Sequence, residues 1–306
     1  MGLSLQTIQS DEFYTFYDDI EKEVSLYKDY FKGKRVYCNC DAADSFFITF
    51  FALHFRGYGL KSLTATCYKP NDCGYKYTYD GITVDNARLR SNGDCFSDEC
   101  REILRQNDIV VTNPPFSCGR DYLKMLLEED KDFLIIANMN IVSSKGVFES
   151  FKNGQYYFGV NKPKRFFTTE DIDGKNITKK GERNIATFGN TCWLTTLNSD
   201  ASTSPLLTLT KHFAASDYPK YDNYNAIEVG KLADIPDDYY NIMGVPITYL
   251  QKHCPQQFEI LWLAGSPGCP NDILEELGHK QGTSFDAVLN GKRKFNRVFI
   301  RRVRQK

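Results

Sequence analysis

Asp108-Ile109-Val110-Val111-Thr112-Asn113-Pro114-Pro115-Phe116 is the stretch that decides the fold. An apolar, β-branched run stops abruptly at an asparagine, two prolines and an aromatic residue. Ile109 to Val111 predict a short strand buried on both faces. Pro114 and Pro115 cannot extend it, because each lacks an N–H and has a fixed φ. Asn113, the Pro114 carbonyl and Phe116 are thereby set at the carboxyl end of a core strand. In open α/β sheets that edge is where ligands bind. The plainer alternative is that Asn-Pro-Pro makes a turn and Phe116 packs beneath it.

Outward from this strand, strand and helix patterns alternate from residue 35 to about residue 140. Arg35 to Cys40 predicts a strand, Asp41 to Ser45 a loop, and Phe46 to Phe55 a helix closed by Gly57 and Gly59. Leu63 to Tyr68 predicts a second strand, and Tyr75 to Val84 a hairpin about Asp80-Gly81. Glu99 to Arg105 and Tyr122 to Leu127 predict helices on either side of the Asn113 strand, and Phe133 to Asn138 another buried strand. Upstream, Phe13, Phe16, Tyr17, Ile20, Val24, Tyr27 and Phe31 recur at helical spacing, with Ser10 or Asp11 as N-cap and Gly33 as stop. This alternation predicts an α/β fold with a doubly wound, mostly parallel sheet.

After Ile141 the chain becomes richer in Gly, Pro, Asn, Thr and Tyr. Short strands are expected there at Ile185 to Phe188, Cys192 to Leu197 and Phe258 to Leu263, joined by long loops. The expected division is a catalytic core with its N-terminal helix over residues 1–144, and a second region over 145–306. The latter ends in a basic segment, Lys292-Arg293-Lys294 and Arg297 to Lys306, about the apolar Val298-Phe299-Ile300. A solvated terminus and a phosphate-contacting strand both fit those charges.

Across 306 residues, 42% hydrophobic and 25% charged residues are those of a globular protein able to bury a sizeable core. The formal net charge of -1 does not announce a nucleic-acid partner, so any such surface must come from local clustering of Lys and Arg. No apolar stretch is long enough to span a bilayer, and a cytoplasmic location is expected. Ten cysteines without paired C-x-x-C spacing and four scattered histidines give no metal-ligand pattern. Reduced, packed thiols and no metal are expected.

The chemistry that the Asn113 edge suits is attack by an exocyclic amine. Such a nitrogen is a poor nucleophile while its lone pair is delocalised into the ring. Two acceptors, the side-chain oxygen of Asn113 and the carbonyl of Pro114, could each take one N–H and favour the tetrahedral nitrogen. Phe116 could stack on the base, an interaction worth about 1–3 kcal/mol. The ends of neighbouring parallel strands should then hold a cofactor. Val36-Tyr37-Cys38-Asn39-Cys40-Asp41 runs from a strand into a loop, where Asp41 could accept from a cationic amine. Gly93-Asp94 places a carboxylate ahead of a helix, where it could accept from an adenine amino group. A turn or a helix cap explains either acid taken alone.

The order of these segments resembles the methyltransferases that use S-adenosyl-L-methionine, and most closely the EcoRI-type adenine-N6 DNA methyltransferases. The likeness also rests on Phe133-Leu134-Ile135-Ile136, Tyr218-Pro219-Lys220-Tyr221-Asp222-Asn223-Tyr224 and Met243-Gly244-Val245-Pro246-Ile247-Thr248. It implies Asn113, Pro114, Pro115 and Phe116 as the catalytic motif, with Cys38, Asn39, Cys40, Asp41 and Asp94 holding the cofactor. It also implies a monomer acting on double-stranded DNA, with room for a cognate restriction endonuclease in the same system. The chain departs from many methyltransferases of this fold: no Gly-x-Gly loop follows the first strand, and Tyr68-Lys69-Pro70 stands where an acid often follows the second. An adenine inside a duplex would have to be flipped out. Lys162, Lys164, Arg165, Lys179, Lys180 and Arg183 could contact phosphates or bases, though each fits a solvated surface equally well. Other amino substrates, in RNA or a protein glutamine, and a catalytically silent DNA-binding protein are the rival readings.

Overall fold

The computed structural model describes residues 13–41, 44–144, 146–168, 177–180, 183–198, 206–266 and 268–304. Two compact units emerge, one formed by Met1–Ile141 with Gly154–Ser202, the other by Val142–Asn153 with Thr203–Lys306.

The first unit opens with β1 (Tyr14–Thr15) and continues with β2 (Arg35–Cys38), β3 (Ser62–Cys67), β4 (Tyr75–Tyr79), β5 (Val84–Arg88), β6 (Ile109–Thr112) and β7 (Asp132–Asn138). It closes with β8 (Tyr157–Phe158), β9 (Arg165–Thr168), β10 (Ile177–Lys180), β11 (Arg183–Thr187) and β12 (Thr191–Thr195). Eight of these form one sheet in the order β5-β4-β3-β2-β6-β7-β12-β8. The central strands β3, β2, β6 and β7 are parallel, with Tyr37 opposite Val110 and Thr112 opposite Ile135. The outer strands are antiparallel: β4 and β5 form the expected hairpin, and β12 runs back along β7. The mostly parallel sheet expected is therefore a mixed sheet, parallel only at its centre.

The four residues of β6 are all buried, as their apolar run requires. Because its parallel neighbours share its direction, residues following β3, β2 and β6 meet at one edge. At the opposite end Arg35 and Asp108 pair at 2.8 Å, and this guanidinium holds the Asp108 carboxyl down at about 2. The Phe46–Tyr58 helix starts at Ser45, whose side chain accepts from the Ile48 N–H at 3.3 Å, and stops at Gly59 with φ of 62°. Four of its five phenylalanines, Phe47, Phe50, Phe51 and Phe55, enter the core together with Ile48 and Tyr58.

The N-terminal segment departs from the single helix expected. Tyr14 pairs with Phe167 in a second sheet ordered β1-β9-β11-β10, so the helix begins only at Tyr17, after Phe16. Ser10 and Asp11, the expected caps, lie outside the described residues. A tighter 3₁₀ segment follows over Ser25–Phe31, where buried Tyr27 leaves helical geometry while its hydroxyl donates to Glu23 at 3.1 Å.

The boundary expected between residues 144 and 145 does not divide the compact units. Residues 154–202 belong with the sheet, because β12 pairs along β7 through five residues from Thr191 to Thr195 and completes its outer side.

The second unit holds β13 (Ile227–Glu228), β14 (Met243–Pro246), β15 (Phe258–Leu263), β16 (Val288–Leu289), β17 (Lys292–Arg293) and β18 (Arg297–Arg302). Its main sheet has the order β13-β14-β18-β15. The basic segment is thus no loose tail up to Arg302: β18 is an interior strand, with Val298, Phe299 and Ile300 fully buried.

Candidate active site

A cavity of about 370 Å³ lies at the shared carboxyl edge of β3, β2 and β6. Seven of the expected residues line it: Asn39, Cys40, Asp41, Asp94, Asn113, Pro114 and Pro115.

Asn113 sits one residue past β6, where the prolines end the strand. Its Nδ2 donates to the Phe13 carbonyl at 2.5 Å. A carbonyl can only accept, so the amide nitrogen must face it and Oδ1 must turn away. Among the described residues, that buried Oδ1 has no hydrogen-bond partner. An orphaned buried acceptor is costly unless something from outside supplies a donor. The Pro115 carbonyl is already engaged, accepting from the Cys118 N–H at 3.1 Å.

Asp41 follows β2 and is buried beside the Asn113 strand. Thr112 Oγ1 donates to its Oδ2 at 2.5 Å. Burial pushes the Asp41 carboxyl up to about 7, against the opposing pull of hydrogen bonds from Thr112 and Ser45. Asn39, 2% exposed, accepts on Oδ1 from the Tyr122 hydroxyl, leaving its buried Nδ2 without a partner among the described residues. The edge therefore offers an orphan donor and an orphan acceptor, with a carboxyl poised near neutrality between strands.

Asp94 is fixed by local bonds: its Oδ1 accepts from the Phe96 N–H at 2.9 Å, and its own N–H donates to Asn92 Oδ1 at 3.1 Å. Gly93 is required for this turn. Its φ is +81°, and a Cβ there would run into the Cys67 carbonyl at the end of β3.

Two expected residues are not in the cavity. Cys38 is the last residue of β2 and is fully buried in the core, where burial pushes its thiol up. Phe116 packs into an aromatic cluster instead, stacked on Phe13 with ring centroids 5.8 Å apart and edge-on to Phe166 and Phe188. Conversely, Phe13, Thr15, Ser45, Lys69 and Phe96 line the cavity without having been singled out from sequence. Thr15 is buried with an unpartnered hydroxyl. The one available signal was Thr112, a hydroxyl at the buried end of an Ile-Val-Val run. Lys162, Lys164 and Arg165, expected among the nucleic-acid contacts, are exposed; all lie in the first unit, not in a separate one. The side chains of Lys179, Lys180 and Arg183 lie outside the described ones. No helix among the described residues is long and apolar enough to cross a membrane.

The chain that carries this cavity, with its orphaned asparagine and two prolines, matches a known family over nearly its whole length. The family model described as adenine-specific methyltransferase EcoRI matches residues 5–303, so the chain belongs to that family and is an adenine-specific methyltransferase. It is 41% identical over 282 residues to the Type II methyltransferase M.EcoRI of Escherichia coli, covering 83% of this chain and 86% of that one. It is 35% identical over 303 residues to the Type II methyltransferase M.MpnI of Mycoplasma pneumoniae, with 96% and 95% covered. Type II methyltransferase M.MgeORF184P of Mycoplasma genitalium is 34% identical over 305 residues, 96% of each chain. No solved structure matches at a comparable level.

Proposed function

We propose that the protein transfers a methyl group from S-adenosyl-L-methionine to N6 of a flipped-out adenine in duplex DNA, on a doubly wound core of the Rossmann type. The observation that carries this reading is the buried, partnerless Oδ1 of Asn113 beside Pro114 in the cavity. An exocyclic amino group has two N–H donors, and the Asn113 oxygen and Pro114 carbonyl supply two acceptors at adjacent positions. Accepting both favours a tetrahedral nitrogen and localises its lone pair for attack. The amino nitrogen becomes acidic only once methylated, so solvent can take its proton and no strong general base is needed.

The donor set fits the cofactor. S-Adenosyl-L-methionine supplies an electrophilic methyl group on a sulfonium, together with an ammonium, a carboxylate and an adenine. Asp41, ionised, would hold the ammonium, and the free Nδ2 of Asn39 would donate to the carboxylate. Asp94 would accept from the cofactor's adenine amino group, with Cys40 on the wall between. Cys38 supports this loop only from the core. Proximity and orientation then supply much of the rate.

Phe116 holds the flipped base by stacking. In this structure its ring is stacked on Phe13, so the base takes the place of the Phe13 ring, which can turn while its carbonyl stays on Asn113. Duplex recognition falls to residues after 145, including the β9–β11 sheet with Lys164 and Arg165 and the whole second unit. The Type II designation of the relatives supports a restriction–modification role alongside a cognate endonuclease.

The test is to incubate the protein with duplex DNA and labelled cofactor, then resolve the nucleosides by mass spectrometry. Label is expected in N6-methyladenine. Label in methylcytosine, or only in parallel samples of RNA or protein, would contradict the reading.

A further inference from the structure

We propose that Arg302 and Arg304 form, with Tyr240, a phosphate-binding site for the DNA backbone in the second unit. The inference rests on duplex DNA being the substrate, but concerns a site that shares no lining residue with the Asn113 cavity.

Four arginines follow Phe295, and they fall into two classes. Arg297 is bonded through Nε and Nη2 to Glu228, the latter at 2.7 Å. Arg301 is held by Glu259 at 2.6 Å and by Glu276. Both are neutralised within the unit. Arg302 and Arg304 have no acidic partner among the described residues. Instead, both guanidinium groups stand over one ring, that of Tyr240, at 5.3 Å and 6.0 Å from its centroid. Nη1 of Arg302 is buried with no hydrogen-bond partner among the described residues.

Two like charges held against one aromatic ring repel each other, and a buried guanidinium donor without an acceptor is costly. Both costs vanish if an anion with several acceptor oxygens enters between them. The space for it exists: Tyr240, Gln256, Arg302 and Arg304 border an open pocket of about 460 Å³. A phosphodiester presents two charged, non-bridging oxygens, which the planar fork of an arginine engages bidentately. Nothing in the pocket reads a base edge from a fixed polar array, so its contribution is to affinity and register, not to sequence choice.

The experiment measures binding of labelled duplex DNA by the full chain across a salt series. Arg302→Gln/Arg304→Gln and the single Arg304→Gln are compared with wild type, and unchanged thermal midpoints check folding. Arg304 is exposed, so its single variant stays informative if the double variant misfolds. Each lost phosphate contact should reduce the slope of log affinity against log salt by about 0.9. The double variant should lose about tenfold or more in affinity for all sequences alike, while its single-turnover rate at saturating DNA and cofactor stays that of wild type. Unchanged slope and affinity in both variants would overturn the site. Calorimetry with inorganic phosphate forms a second arm. Phosphate binding that needs both arginines, alongside a DNA slope that does not, would assign the pocket to a free anion and also overturn the proposal. DNA bound with an Arg302- and Arg304-dependent slope but never methylated would support this site and sink the proposed methyl transfer to DNA.

Discussion

Asn113 and Phe13, 100 residues apart in the chain, are joined by a hydrogen bond of 2.5 Å from the asparagine Nδ2 to the phenylalanine carbonyl. The bond decides which end of the Asn113 amide is available: nitrogen is spent on the protein and oxygen is left for the substrate. Asn113→Asp tests this directly. An ionised aspartate would set a carboxylate oxygen against the Phe13 carbonyl, acceptor against acceptor. A protonated one could donate there and still accept on its other oxygen. Single-turnover methylation by Asn113→Asp at saturating cofactor and DNA should be depressed about 10²–10³-fold at neutral pH and recover as pH falls. A rate that does not recover at low pH would show that the Phe13 carbonyl does not orient the amide.

Asp41 predicts how cofactor binding depends on pH. Its carboxyl, raised by burial to about 7 from an ordinary 3.8, favours the folded state fully below the ordinary value. That contribution is lost as pH rises through about 7, because the folded protein then gives up a proton held in a buried site. A cationic amine requires the ionised form. Cofactor affinity should therefore increase up to about tenfold per pH unit towards pH 7 and level above it, with release of a proton. Asp41→Asn should flatten the profile. Calorimetry in buffers of different ionisation enthalpy counts the proton; none released, with a flat profile, removes Asp41 from the ammonium site.

Gly93 holds the Asp94 turn against the end of β3. Gly93→Ala combines a left-handed backbone with a Cβ driven into a backbone carbonyl, and should destabilise by about 1–3 kcal/mol. Because Asp94 rides on this turn, cofactor affinity should fall with it. A variant with wild-type denaturation midpoint and cofactor affinity would show that the turn shifts freely.

Much of this edge could be seen in the sequence. The Ile-Val-Val run, the prolines after Asn113 and the acid after β2 are local patterns, and each lands at the cavity. Phe13 could not be found that way, since its role depends on a contact across 100 residues and its own segment reads as helix. Cys38 came with the loop that the resemblance assigns to the cofactor, but β2 ends at Cys38, which is buried in the core, so Asn39, Cys40 and Asp41 line the cavity and Cys38 does not. Phe116 was legible only in part. The aromatic after the prolines is a local pattern, but the Phe13, Phe166 and Phe188 rings packed around it come from distant parts of the chain and leave no local signal. The antiparallel return of β12 places residues far beyond 144 in the first unit, a pairing that periodicity does not encode.

In the second unit, Glu228 and Arg297 form a pair 6% and 14% exposed, with the Tyr221 hydroxyl also on Glu228. Arg297→Met leaves that carboxylate buried with the Tyr221 hydroxyl and, at 3.8 Å, Lys294, and should cost about 3–5 kcal/mol. Adding Glu228→Leu should recover part of the loss. Denaturant unfolding followed by tryptophan fluorescence measures both variants. A double variant no more stable than Arg297→Met would mean that the unpaired acid is not what destabilises the single one.

The central claim, that the Asn113 oxygen stabilises the attacking amine, is tested most directly by the single-turnover rate of Asn113→Ala with DNA and cofactor both saturating. Its contribution belongs to the transition state, so DNA and cofactor affinities should change little while methyl transfer to adenine slows by about 10²–10³-fold. Methyl transfer at the wild-type rate would contradict the account, whatever the variant does to binding.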